Sequence, residues 1–166
     1  SGAAPLRVGA EHATIAPYGC HRTADGRMLV LAVQSQGEWV RFAGDFLGDA
    51  GLVADERFVT NSDRVAHRDD LNALVAARCA ELTLERLEAA LDDAGIAHGR
   101  LNDMHQFWDH EQLAARDRWR QVATPEGAIR AMLPPIELAG TEARMGGVPG
   151  YGEHTDSVLR ELGLSD

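Results

Sequence analysis

Residues 15–47 read IAPYGCHR-TADG-RMLVLAVQ-SQGEWVRFAGDFL, and the fold is decided here. Met28 to Val33 is an unbroken apolar run, the pattern of a strand buried on both faces. Thr23-Ala24-Asp25-Gly26 just before it is a short turn, with Gly26 free to take the positive φ that such a hairpin loop requires. Pro17 has no N–H to give a ladder, so the incoming strand is expected to be irregular or at an edge there. On the far side, Ser35 and Glu38 have capping-box spacing and predict a helix that starts immediately. Trp39, Ala43, Phe46 and Leu47 share one face of that helix and would fold back onto the hairpin.

Outward from this nucleus the chain predicts an α+β fold: an antiparallel hairpin sheet packed by several helices, then C-terminal strands, an extended segment and a final helix. Residues 1–14 carry no periodicity and read as a linker or arm. Asp49 to Thr60 is a loop anchored by Phe58, and Asn61 or Ser62 is expected to cap the next helix. Leu71, Leu74, Val75, Cys79 and Leu82 make its apolar stripe. Thr83 is the expected cap of a third helix with Leu84, Leu87 and Leu91 inward, and Gly95 ends it. Ile96 to Leu101 should be extended. Asn102 or Asp103 then opens short helical turns anchored by Met104, Phe107, Trp108 and Leu113. Trp119 to Thr124 and Ala128 to Leu133 suit two strands joined at Pro125-Glu126-Gly127, with extended structure resuming at Ile136 to Leu138. Gly140 to Gly152, rich in Gly and Pro, would be mobile or draped over a surface. Thr155 would cap the last helix, with Val158, Leu159 and Leu162 inward and Gly163 as its stop.

At 166 residues the chain can bury a real core. Its net charge of −10 argues against binding nucleic acid, which needs clustered Lys and Arg to neutralise phosphates. No stretch approaches the roughly 20 apolar residues that cross a bilayer, and the given residues hold no basic-then-apolar leader, so no membrane partner and a cytoplasmic location are expected. Cys20 and Cys79 fall on a strand and a helix far apart in sequence, and both are expected to stay reduced there.

Few residues suggest chemistry on their own. His105 and His110 are five apart and fall on different faces of a helix, unlike a zinc pair at a spacing of four, so no metal site is expected. Glu153-His154-Thr155 reads as a helix cap with a dipole-favoured carboxylate rather than an acid/base dyad. The pairs Asp69-Asp70 and Asp92-Asp93 read as solvated faces, and no P-loop, GxGxxG or Ser-His-Asp constellation is present. His12, Tyr18 and Gly19 flank the start of the hairpin in a segment too irregular for pure scaffold. They can seal the hairpin's end or contact a ligand. Gln34 and Gln36 follow the central strand, where side chains are presented to ligands or merely solvated.

IAPYG (15–19), RTADG (22–26), LAVQSQGEW (31–39) and GEHTDSVLRELG (152–163) resemble, in order and spacing, the C-terminal portion of family III CoA-transferases. That superfamily includes formyl-CoA and carnitine CoA-transferases and the α-methylacyl-CoA racemases. DERFVTNSDRVAHRDDL (55–71), AGIAHGRLND (94–103) and LPPIELAGTEAR (133–144) fall in the same order. The resemblance implies that 15–138 is the small α+β domain and that 139–166 returns to a large N-terminal domain. That domain, expected to lie outside these residues, would carry a nucleophilic aspartate and most CoA contacts. It implies an interlocked homodimer, an acyl-CoA and a small carboxylic acid as substrates, and no cofactor bound by this chain, coenzyme A thioester being the substrate of the parent enzyme. No acidic residue here matches the family's nucleophile motif, so no catalytic residue is assigned and the chain alone is expected to be inactive.

The segment from His12 to Gly19 resembles the place where formyl-CoA transferases carry a glycine-rich loop, although only Gly9 and Gly19 remain of one. His12, Tyr18, Gly19, Gln34 and Gln36 are therefore the substrate-binding candidates. Racemases of similar sequence carry an acidic residue just after the strand. Gln34-Ser35-Gln36 is closer to the transferase pattern, since proton transfer at an α-carbon needs a titratable group. The alternatives are a domain of a 2-methylacyl-CoA racemase and a non-catalytic interaction module.

Overall fold

A computed structural model describes residues 7–164, so residues 1–6 of the 1–14 arm lie outside the described residues. The chain divides into two compact units, 1–101 and 102–166. Both are mixed helix and antiparallel sheet, which makes the fold α+β.

The first unit is built on a three-stranded sheet of β1 (Tyr18–Arg22), β2 (Met28–Ala32) and β3 (Ala97–Arg100), with β2 in the middle and both pairings antiparallel. The turn lies where the sequence puts it: Thr23 N donates to Arg27 O and Gly26 N to Thr23 O, with Gly26 at φ +79°. Burial of β2 corrects the expectation of a strand covered on both faces. Leu29 and Leu31 are fully buried, whereas Met28 and Val30 on the opposite face are half-buried. The Met28 and Val30 face is thus covered less than the Leu29 and Leu31 face, although Ala32 at its end is buried.

Ser35 caps α1 (Gln36–Arg41) by the expected reciprocal box with Glu38. The helix then widens for one turn over Phe42–Phe46, where Leu47 N reaches back five residues to Phe42 O at 2.9 Å. This wider turn keeps Trp39, Phe42, Ala43 and Phe46 all in the core. Phe58 is fully buried as expected.

The next cap is Thr60, one residue earlier than expected, paired reciprocally with Asp63. The single predicted helix is two: α2 (Asn61–Ala66) and α3 (Arg68–Ala80). Between them His67 leaves the helical region at φ −109°, ψ 35°, its ring Nδ1–H donating to the Asp63 carbonyl at 3.0 Å. Leu71, Val75 and Cys79 face the core, but Leu74 is 40% exposed and lies off the stripe. Thr83 makes no side-chain cap for α4 (Leu84–Asp93); the hairpin's Asp25 accepts the Leu84 N–H instead, at 3.3 Å. Gly95 closes α4 at φ +64°, with Arg41 donating to the Ala94 and Gly95 carbonyls beside it.

In the second unit Asp103 caps α5 (Met104–Trp108) and His110 caps α6 (Glu111–Ala115). Phe107 and Trp108 pack on Trp119 with ring centroids 6.1 and 4.7 Å apart, while Met104, expected as an anchor, faces solvent. β4 (Trp119–Thr124) and β5 (Gly127–Met132) pair with Thr124 opposite Gly127, so the turn is the two residues Pro125-Glu126 and the second strand starts one residue early. Ile136 to Leu138 forms no strand. The glycine-rich segment lies along β4, with Val148 N donating to Ala123 O at 2.8 Å. His154, not Thr155, holds the N-cap position of α7 (Thr155–Glu161), without a side-chain cap bond. Val158 and Leu162, expected inward, are exposed there. Gly163 ends the helix at φ +67°, and Leu164 N returns to Leu159 O at 2.9 Å, the glycine stop expected.

Candidate functional site

The lead-in to β1, residues 10–16, is fastened to α2 and α3 by four side chains at spacings of three, four and four: Asn61, Arg64, Arg68 and Asn72. Asn61 donates to Thr14 O at 2.8 Å and accepts the Ala16 N–H at 3.2 Å. Arg64 donates to Ala16 O at 2.8 Å and Arg68 to Ala13 O at 3.3 Å. Arg68 and Asn72 together take both oxygens of Glu11, at 3.1 and 2.7 Å. Such a spacing lines one face of a helical pair. In sequence such a set is indistinguishable from an ordinary solvated face. It makes the lead-in a fixed part of the unit.

On that lead-in His12 and Tyr18 come together. The rings stack at 5.1 Å with planes 19° apart, and His12 N donates to Tyr18 O at 3.0 Å. Nδ1 of His12 accepts the Thr14 N–H at 3.2 Å, which places the proton of the neutral ring on Nε2. The Nε2–H and the Tyr18 hydroxyl are then two donors without a partner among the described residues. Gly19 is buried, and a Cβ there would sit 3.1 Å from Glu11 Cγ, so its bare Cα makes room for the Glu11 side chain rather than for a ligand.

Gln34 and Gln36 differ in surroundings. Gln34 is exposed, and its backbone N–H donates to Glu38. Gln36 has its amide in use on both ends, donating to Val59 O at 3.0 Å and accepting from Arg64 at 3.2 Å. Arg64 lies over the Trp39 ring at 4.9 Å and also donates to Phe58 O at 3.0 Å. Burial lowers the pKa of this guanidinium, with nearby Asp63 opposing. His21, opposite Leu29 in the sheet, is buried with Nε2 unpartnered; burial pushes its pKa down more than the charge of Glu11 raises it, which favours the neutral ring. No pattern in the sequence marked it.

The remaining residues considered from sequence are accounted for locally. His110 caps α6 by accepting the Gln112 N–H, and Glu153 accepts the Gly150 N–H at 2.6 Å. Among the described residues no three His, Cys, Asp or Glu side chains gather as metal ligands, and no helix is long and apolar enough to cross a membrane. Cys20 and Cys79 are both free.

Comparison with known proteins agrees with this architecture. The chain is 33% identical to an acyl-CoA transferase of Fusarium pseudograminearum, across 95% of the chain and 35% of that protein. It is 31% identical to the succinate–glutarate CoA-transferase of Agrobacterium fabrum, across 98% of the chain and 40% of that enzyme. Among solved structures it superposes on a CAIB/BAIF family protein from Brucella suis with a TM-score of 0.72 and 31% identity, covering 98% of the chain and 42% of that protein. The chain thus spans about two-fifths of the length of these relatives. The profile of CoA-transferase family III matches residues 1–155, and the chain belongs to that family.

Proposed function

We propose that this chain is the C-terminal part of an acyl-CoA:carboxylate CoA-transferase that moves CoA between an acyl-CoA and a small acid, dicarboxylates first among them. In this reading residues 15–138 are the small domain and 139–166 return to a large domain, within an interlocked cytoplasmic homodimer. An aspartate of the large domain attacks the thioester carbon and releases CoA thiolate, leaving a mixed anhydride. The thiolate then attacks the aspartyl carbonyl, frees the first acid and leaves an aspartyl-CoA thioester for the second acid to open. Carboxylate nucleophiles divide a hard acyl transfer into easier steps in this way. His12 Nε2–H and the Tyr18 hydroxyl would donate to a carboxylate or thioester oxygen, a task for preplaced donors.

The observation that carries the reading is this pair of unpartnered donors on a fastened lead-in, within a family whose members here include succinate–glutarate and succinyl-CoA–D-citramalate transferases. The non-titratable Gln34-Ser35-Gln36 after β2 supports transfer over racemisation. The test is to assay the polypeptide encoded by the whole parent gene with succinyl-CoA and a panel of small dicarboxylates. CoA transfer to at least one is expected; transfer to no acid overturns the reading. Exchange of an α-proton with deuterated water, independent of any free acid, would select the racemase in its place.

A further inference from the structure

We propose that Glu11 is a positioning residue that sets His12 against Tyr18, an inference that rests on reading those two rings as substrate contacts. Both Glu11 carboxylate oxygens are committed to α3, one to Arg68 Nη1 at 3.1 Å and one to Asn72 Nδ2 at 2.7 Å. With both oxygens so engaged, Glu11 acts through its neighbour. It fixes the backbone immediately before His12, and Arg68 also holds Ala13 O immediately after it, at 3.3 Å. One guanidinium so grips both flanks of the imidazole. The third constraint is the His12 N–H bond to Tyr18 O, which ties the same residue to β1.

The register of the stack follows from these three ties. The imidazole must sit over Tyr18 because its backbone is held between α3 and β1, and the Thr14 N–H then falls on Nδ1. That contact leaves Nε2 as the ring's donor. Gly19 belongs to the same device: its missing Cβ is the space that Glu11 Cγ occupies. Releasing Glu11 or filling that space is expected to disturb the same ring, in both cases through the Glu11 side chain. Two charge-assisted or amide hydrogen bonds to one carboxylate supply geometric as well as energetic definition.

The experiment reads the ring itself. In NMR spectra of this chain, wild-type His12 is expected to show proton shifts displaced by the Tyr18 ring current and 15N shifts of the Nε2–H tautomer. Glu11→Ala and Gly19→Ala are expected to collapse the ring-current displacement and mix the tautomers. Glu11→Gln should restore both, since a glutamine oxygen still accepts from Arg68 and its NH2 meets Asn72 once that amide flips. A purely structural role would lower the melting temperature and leave the His12 signature in place; that outcome overturns the proposal. Should Glu11→Ala fail to fold, Asn72→Ala removes one of the two bonds, and an unchanged His12 signature in it overturns the proposal equally.

In the full parent polypeptide, Glu11→Ala is expected to lower kcat by about tenfold or more, the scale of a slight misplacement of a positioned group. The Glu11→Gln variant should recover most of that loss. His12→Ala separates the two ideas. Transfer unchanged in His12→Ala overturns the substrate-contact reading, while the NMR signature still decides what Glu11 does to the ring.

Discussion

Arg64 is 2% exposed, and its hydrogen bonds go to two backbone carbonyls and one amide, at 2.8, 3.0 and 3.2 Å, with the Trp39 ring beneath it. A buried cation gains little from attraction unless its donors are all used, so its worth lies in the acceptors it satisfies. Those acceptors are Ala16 O on the lead-in, Phe58 O in the loop and Gln36 on α1, three segments joined by one side chain. Arg64→Leu keeps much of the bulk and orphans all three. A buried acceptor left unpaired costs about 1–3 kcal/mol, so a loss of about 3 kcal/mol in urea unfolding is expected, with Gln36 able to turn to solvent. Arg64→Lys should fall between, because an ammonium cannot reach in three fixed directions. A loss below about 1 kcal/mol for leucine would show that the three segments hold without the cation. The two cysteines give a second residue-scale test. Burial pushes the Cys79 thiol up to about 12, whereas Cys20 is half-buried on the more open face of the sheet. Thiolate is the reactive form, so native-state alkylation is expected at Cys20 well before Cys79, and mass spectrometry showing the reverse order would contradict this packing.

Between elements, the hairpin turn and α4 are joined through Asp25. Its carboxylate accepts the Thr23 hydroxyl at 2.5 Å and the Leu84 N–H at 3.3 Å, and pairs with Arg27 at 2.7 Å. The Thr23 hydroxyl first, then Arg27, hold its pKa down at about 2. A folded pKa below the unfolded one means stabilisation that is present above the unfolded value and is lost as pH falls through the folded one. Stability is thus expected to decline from about pH 4 downward through about pH 2 by way of this link. Thr23→Val should raise the Asp25 pKa in a 13C carboxyl titration, and an unmoved midpoint would remove Thr23 as the cause. The sequence carried much of this level and missed a definite part. Leu87 and Leu91 are legible because burial on one helix face leaves a period, and the strand holding Leu29 and Leu31 because its apolar run is unbroken, although that run hides which face is the better covered. Ser35 with Glu38 was visible because a reciprocal cap has a fixed spacing. Asp25 capping α4 was not, since it lies 59 residues from Leu84 and long-range bonds have no spacing signature. Asn61, Arg64, Arg68 and Asn72 did have one, but polar residues at helical spacing look the same whether they meet water or a strap. Of the candidate site, His12, Tyr18 and Gly19 stand out in the sequence as irregular residues beside a strand, whereas the neighbouring Glu11 and His21 become visible only with the register.

The two units differ in how much apolar surface they leave uncovered. In residues 7–101 the large side chains Trp39, Phe42, Phe46 and Phe58 are all buried. In residues 102–164 Met104, Ile136, Leu138, Tyr151, Leu162 and Leu164 face solvent, Ile136 at 74% and Leu138 at 65% exposure. Apolar exposure on that scale marks a surface that gains from being covered, and in a purified sample of this chain the partner on hand is a second copy. Like charge opposes the association: −10 per chain repels at low ionic strength and is screened over about 10 Å at 0.1 M salt. Self-association is therefore expected to strengthen with added salt, the reverse of an assembly held by ion pairs. Sedimentation velocity over a range of concentration and salt should show it. The double substitution Ile136→Ser and Leu138→Ser should weaken it while leaving the unfolding of the first unit unchanged. A single monomeric boundary under every condition would mean that the exposed side chains of 102–164 gain nothing from contact. Salt-induced dissociation would instead give the leading part to ion pairs, such as the exposed Arg116–Glu137 contact rearranging between copies.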